Sequence, residues 1–195
     1  MSETPLDGGA PESSPADDLD PAQAALAAAL LEVLRHVEED AEELTQVRWF
    51  ALLRSAQLLA EQPSLAAVLG DDVALSLAQD SQHLTSVELE APPATADPLE
   101  SLSSLEWPEG IAGLAGCFDL SPAQREERSP LTGADGSAPA SASTDGQRMR
   151  AAVAALEDGT VFCAVRRGDE EQVALGVRLL PDVTEAIRQA VTEEE

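Results

Sequence analysis

Asp158-Gly159, set between two runs of small and apolar residues, leaves the end of this chain few choices of fold. A two-residue loop of this type needs positive φ, and its twist suits two antiparallel strands. Before it, Met149, Ala151, Val153 and Ala155 alternate with Arg148 and Arg150; after it, Val161, Cys163 and Val165 return along the inner face. Arg167 to Glu170 reads as a second turn, and Val173, Leu175 and Val177 as the next strand. A helix from about Leu180 to Val191 follows, burying Val183, Ile187 and Val191. The last third is thus an antiparallel meander closed by a helix.

The start of the chain reads as clearly. Asp20-Pro21 is an N-cap followed by proline at the first helical position. Leu26, Leu30, Val33, Val37, Ala41 and Leu44 recur at spacings of three and four, which predicts one long amphipathic helix to about Leu44. Glu38, Glu39, Asp40, Glu42 and Glu43 fall late in it, where the helix macrodipole disfavours each acid by roughly a few tenths of a kcal/mol. Apolar burial has to outweigh that cost.

Between these ends the signals are shorter. Val47 to Leu53, with Trp49 and Phe50, reads as a buried strand. Ser55 caps a short helix through Gln62, and Pro63-Ser64 opens another that ends at Gly70. Leu84 to Glu90 alternates, placing Thr85, Val87 and Leu89 on one face of a strand. Asp97-Pro98-Leu99-Glu100 is a capping box that starts a short helix closing near Trp107-Pro108. Ile111 to Leu120 follows as a strand, with Gly113, Ala115 and Cys117 opposite Leu114, Phe118 and Leu120. Together these elements predict an α+β fold: an antiparallel sheet of five or six strands with a long N-terminal helix and a C-terminal helix packed against it.

A length of 195 residues suits one such domain, and 44% hydrophobic residues suffice for its core. Residues 1–20 carry three prolines, two glycines and six acids with no base, and are expected to be a disordered acidic tail. Residues 21–195 are then a single α+β domain, interrupted at about 121–146 by a Ser-, Ala-, Pro- and Gly-rich stretch that reads as a mobile loop.

Charge excludes several functions. The chain holds 37 acids against 11 bases, all arginine, for a formal net charge of −26. That field repels phosphate, so neither nucleic acid nor an anionic membrane surface is an expected partner. No stretch approaches the roughly 18 uninterrupted apolar residues of a membrane span. Met1-Ser2-Glu3 lacks the basic start of a secretory signal, and two cysteines are too few for a disulfide scaffold, so the expected location is cytoplasmic. The chain lacks Lys, Asn and Tyr and has two Ile against abundant Ala, a bias expected of a GC-rich bacterial genome.

No catalytic constellation stands out. His36 and His83 fall in neither an HExxH nor an HxH pattern, so no metal site is expected. Cys117 and Cys163 lie in strands among small or apolar neighbours and read as buried hydrophobes. Whether their strands adjoin is open at this point. GxSxG, GxGxxG and Walker patterns are absent, so no cofactor is expected. Trp49 and Trp107 read as packing anchors. One cluster is worth weighing: Arg148 and Arg150 on one strand, with Arg166 and Arg167 on its hairpin partner. Arg148, Arg150 and Arg166 form a candidate anion site, against the favoured reading in which these arginines pair with acids of the same chain.

The segments RWFALLRSAQLLAEQPSLAAVLG (48–70), LESLSSLEWPEGIAGLAGCFDL (99–120), MRAAVAALEDGTVFCAVRR (149–167) and the trailing VALGVRLLPDVTEAI resemble a small actinobacterial family of acidic proteins of unknown function, known by one member's locus tag. The similarity spans roughly residues 21–192 and implies a soluble intracellular α+β protein. It implies no activity and supplies no catalytic residues.

The expected function is therefore a non-enzymatic protein-interaction module, adaptor- or chaperone-like, binding an unidentified protein or itself as a homodimer. Its binding surface is expected on the Leu/Val stripe of the first helix. The order of elements is similar to that of bacterial secretion chaperones, an analogy of fold alone. The alternatives are an enzyme with a small-molecule or anion site at Arg148, Arg150 and a histidine, and an acidic mimic of DNA.

Overall fold

Asp20 caps the first helix with its own carboxylate. In the computed structural model, which describes residues 19–90, 94–120, 148–168 and 172–192, Asp20 Oδ1 accepts from the N–H groups of Ala22 and Gln23 at 2.9 and 3.0 Å. Helix α1 spans Pro21–Asp40 and ends where Ala41 turns extended, about one turn before the predicted Leu44. The reason is tertiary. The Ala41 and Glu42 carbonyls accept from Arg150, and the Leu44 N–H donates to Asp119, so the groups that would continue the helix are taken by the sheet. The expected acidic tail, up to residue 18, and the expected loop at 121–146 lie outside the described residues.

Among the described residues, six strands form one antiparallel sheet: β1 (Arg48–Arg54), β2 (Leu84–Glu88), β3 (Gly113–Leu120), β4 (Met149–Leu156), β5 (Val161–Arg167) and β6 (Val173–Gly176), in the order β2-β1-β3-β4-β5-β6. The three C-terminal strands are the expected meander, but the β4–β5 loop holds three residues, Glu157, Asp158 and Gly159, where two were expected: the Leu156 N–H donates to the Thr160 carbonyl at 2.8 Å and Gly159 takes φ 84°. Strand β3 sits between β1 and β4, so the chain passes β1 on its way from the β2 edge to the centre.

Both faces of the sheet are covered. Helix α1 lies on Phe50, Leu52, Ala115, Cys117, Ala152, Ala154, Phe162 and Ala164. The last helix, α6 (Pro181–Thr192), covers the other face with Trp49, Leu114, Phe118, Val153 and Cys163, beside the short helix α5 (Pro98–Ser103). The inner face assigned to Val161, Cys163 and Val165 is thus one of two. Strand β4 carries apolar side chains on both sides, as a sheet between two helical layers requires. The α1 stripe, expected to bind a partner, is not a free surface. Leu26, Leu30, Val33 and Val37 are fully buried against the protein's own sheet, so that stripe serves the core.

Between β1 and β2 the chain makes a helical excursion: α2 (Ser55–Glu61), α3 (Pro63–Leu69) and α4 (Asp71–Gln79). The first two were expected from Ser55, Pro63 and Gly70, the third was not; Ser55 is the first residue of α2 and not its cap, because its hydroxyl is turned to His83 and Thr85. Within these three helices only Ser55 and Ala74 are buried.

Candidate functional site

Three arginines from three strands converge beneath the C-terminal end of α1. Arg48 of β1 is held on two sides, by Asp40 (Nη1 to Oδ2, 3.0 Å) and by Glu88 of β2, where Nε donates to Oε1 at 2.6 Å and Nη2 donates to Oε2. Arg150 of β4 donates to Asp119 of β3 (Nε to Oδ1, 2.7 Å; Nη2 to Oδ2, 3.1 Å) and to the carbonyls of Ala41 and Glu42, each at 3.1 Å. Arg166 of β5, the register partner of Arg150, donates to Glu38.

This arrangement answers an electrostatic problem in the sequence. The last turn of α1 is acidic and holds no base, where the helix dipole already gathers negative charge. The cations come from the sheet instead. Arg48 pulls the Glu88 carboxyl below its ordinary range by hydrogen bond and charge, against a smaller opposing effect of burial. For Arg150, burial works to lower the pKa, but the bond and charge of Asp119 outweigh it, so the guanidinium stays charged.

Of the candidate anion residues, Arg150 and Arg166 face α1 and meet chain carboxylates, while Arg148 directly precedes β4. Of the two histidines, His36 joins the Arg48–Glu88 pair. His36 Nε2 lies 3.5 Å from Arg48 Nη2 and 3.6 Å from Glu88 Oε2, with its ring edge-on to Phe50. Next to this group opens a cleft of about 830 Å³, lined by Asp40, Glu43, Arg48, Glu88, Leu89 and Glu90 among others. Among the described residues, no three His, Cys, Asp or Glu side chains converge as metal donors.

His83 belongs to a second polar group that sequence reading missed. Its Nδ1 lies 2.7 Å from Ser55 Oγ, which is also 2.6 Å from Thr85 Oγ1. A serine beside a histidine invites comparison with a nucleophile and its base. Ser55, however, is 2% exposed, and its N–H donates to the His83 carbonyl, so the hydroxyl ties the end of β1 to the start of β2. No local pattern signals this pairing, because the residues are 28 positions apart.

The cysteines are not neighbours. Cys117 on β3 faces α1, and Cys163 on β5 faces α6, with β4 between their strands. Burial pushes the Cys117 thiol up to about 12 and raises that of Cys163. Neither is a thiolate at neutral pH.

The exposed surface is more unusual than the buried groups. Val68 is 82% exposed and Leu75 60%, with Leu69 and Val73 also exposed, all within eight residues around the Gly70 corner joining α3 to α4. Helix α3 buries none of its residues.

An antiparallel sheet between helical layers, three of its arginines matched to carboxylates of the same chain, defines an α+β protein whose recognisable charge clusters hold the fold together. The chain belongs to the family described as PPA1309-like protein, whose family model matches residues 26–192. This is a locus-tag family of the kind that the segments at 48–70, 99–120 and 149–167 resemble. Comparison with curated proteins and with solved structures gives no match. Among the described residues, no helix is long and apolar enough to cross a membrane.

Proposed function

We propose that this protein is a non-enzymatic interaction module, and that its docking surface is the apolar corner where α3 meets α4. The exposure of Val68, Leu69, Val73 and Leu75 around Gly70 carries this reading. Apolar surface left in water forfeits about 25 cal/mol per Å², and contiguous patches of it mark interaction sites. Isolated helices shorter than about 12 residues are marginal in water and take most of their stability from packing. Helices α3 and α4, of seven and nine residues, bury a single side chain between them, Ala74. A partner on this corner would supply the packing that the fold withholds.

The test is photo-crosslinking in the cells that make the protein. A photoreactive side chain at position 68 or 75 is expected to give a defined adduct; the same group at Glu157, beside the β4–β5 hairpin turn, is not. Equal labelling at all three positions, or none at 68 and 75, overturns the proposal.

A further inference from the structure

Resting on that reading, the charge around the corner identifies the chemistry of its occupant: we propose that α3 and α4 receive a basic amphipathic segment of another protein, apolar on one face and rimmed by Lys or Arg. Residues 55–83 contain Glu61, Asp71, Asp72 and Asp80 and no Lys or Arg. Asp71 and Asp72 form the first turn of α4 and stand directly before the exposed Val73. Exposed apolar side chains in a segment that carries four acids and no Lys or Arg favour a positive partner, because complementary charge speeds encounter and like charge opposes it.

The same arithmetic argues against a second copy of this chain. Self-association through a two-fold axis sets identical patches against each other, which places acid against acid. Each chain also brings a formal net charge of −26. The shortness of the helices fits a segment that orders them on binding, so affinity is expected to be modest and dependent on salt.

The experiment uses the full-length chain and two synthetic helical peptides, one of Leu and Lys in heptad order and the other with Glu in place of Lys. Fluorescence anisotropy reads their affinities for wild type, V68S/L75S, D71N/D72N and V177S, the last altering a partly exposed residue after β6; circular dichroism confirms that each variant is folded. The Leu/Lys peptide is expected to bind wild type and V177S alike. It should lose about tenfold or more with V68S/L75S, as removal of two apolar contacts implies, and several-fold with D71N/D72N. The Leu/Glu peptide is expected not to bind.

Undiminished binding of the Leu/Lys peptide to V68S/L75S would mean that the chain's general negative charge attracts it, and the inference fails. Equal binding of both peptides also ends it. So does a mass of twice 20.4 kDa by light scattering that V68S/L75S returns to monomer, because a second copy would then cover the corner. If crosslinks form at 68 and 75 while the Leu/Lys peptide fails, the interaction reading stands and the basic partner does not.

Discussion

Asp119 and Arg150 are register partners across β3 and β4, and their side chains close a two-point ion pair directly under the chain that leaves α1. The same guanidinium holds the Ala41 and Glu42 carbonyls, while Asp119 also takes the Leu44 N–H at 2.9 Å. Arg150 is 3% exposed, so these groups have little water to fall back on.

Removing one partner should therefore cost much more than removing a surface pair. Arg150→Met leaves the Asp119 carboxylate with only the Leu44 N–H and two carbonyls without their donor, and about 3–5 kcal/mol of stability should go with it. The double variant D119L/R150M, which leaves no buried charge, should recover part of the loss. Urea unfolding measures both; a loss under about 1 kcal/mol in R150M would show that the pair is merely superficial.

Gly116 is the cross-strand partner of Trp49, and the indole lies flat enough over it that an added Cβ would stand 2.7 Å from Trp49 Cζ3. The ring has little freedom to move: it is fully buried and its Nε1 donates to Ser101 Oγ at 2.8 Å. Gly116→Ala should cost about 1–3 kcal/mol through overpacking and should perturb the near-ultraviolet dichroism of Trp49. The cost should shrink in W49L/G116A relative to W49L. If it is unchanged there, the indole is not the obstacle.

Cys117 and Cys163 should resist thiol reagents in the folded protein at neutral pH. Both are buried, and burial holds their thiols in the protonated form, Cys117 at about 12. Labelling with an aromatic disulfide should follow unfolding across a denaturant series. Rapid labelling of either cysteine without denaturant would contradict the placement of these residues in the two cores.

Glu88 predicts a pH dependence with a definite sign. Its carboxyl is lowered from 4.5 by Arg48, so it contributes stability that is fully present above the unfolded value and is lost as pH falls through the lowered one. Glu88→Gln should reduce stability at neutral pH, and wild type and variant should converge on acidification below 4.5. The effect should stay within about 1 kcal/mol, because the pair is partly solvated. A difference that grows towards acid would reverse the assigned sign.

Much of the fold was readable from short stretches of chain. Asp20-Pro21 marked the start of α1, Asp158-Gly159 the β4–β5 hairpin, and Asp97-Pro98 the start of α5, where Asp97 Oδ1 accepts from Leu99 and Glu100. In that box the Glu100 carboxylate takes the Thr95 hydroxyl, a contact the spacing did not foretell. Helix α4 has no such mark, because it begins directly after Gly70, which reads as the end of α3 and not as the start of another helix.

Local order came from local chemistry: caps, turns and apolar periods act within a few residues, so they determined the α+β class, the antiparallel meander and the two principal helices. The tertiary structure alone decided that the α1 stripe is spent on the protein's own sheet, that the cysteines face opposite layers, and that three arginines neutralise the acidic end of α1. It also decided that the Gly70 corner stays uncovered. Those outcomes depend on residues such as Arg150 and Ala41, or Arg166 and Glu38, which are 109 and 128 positions apart. Partners so distant in the chain meet only when the sheet closes, and no period within one segment records which of them will meet.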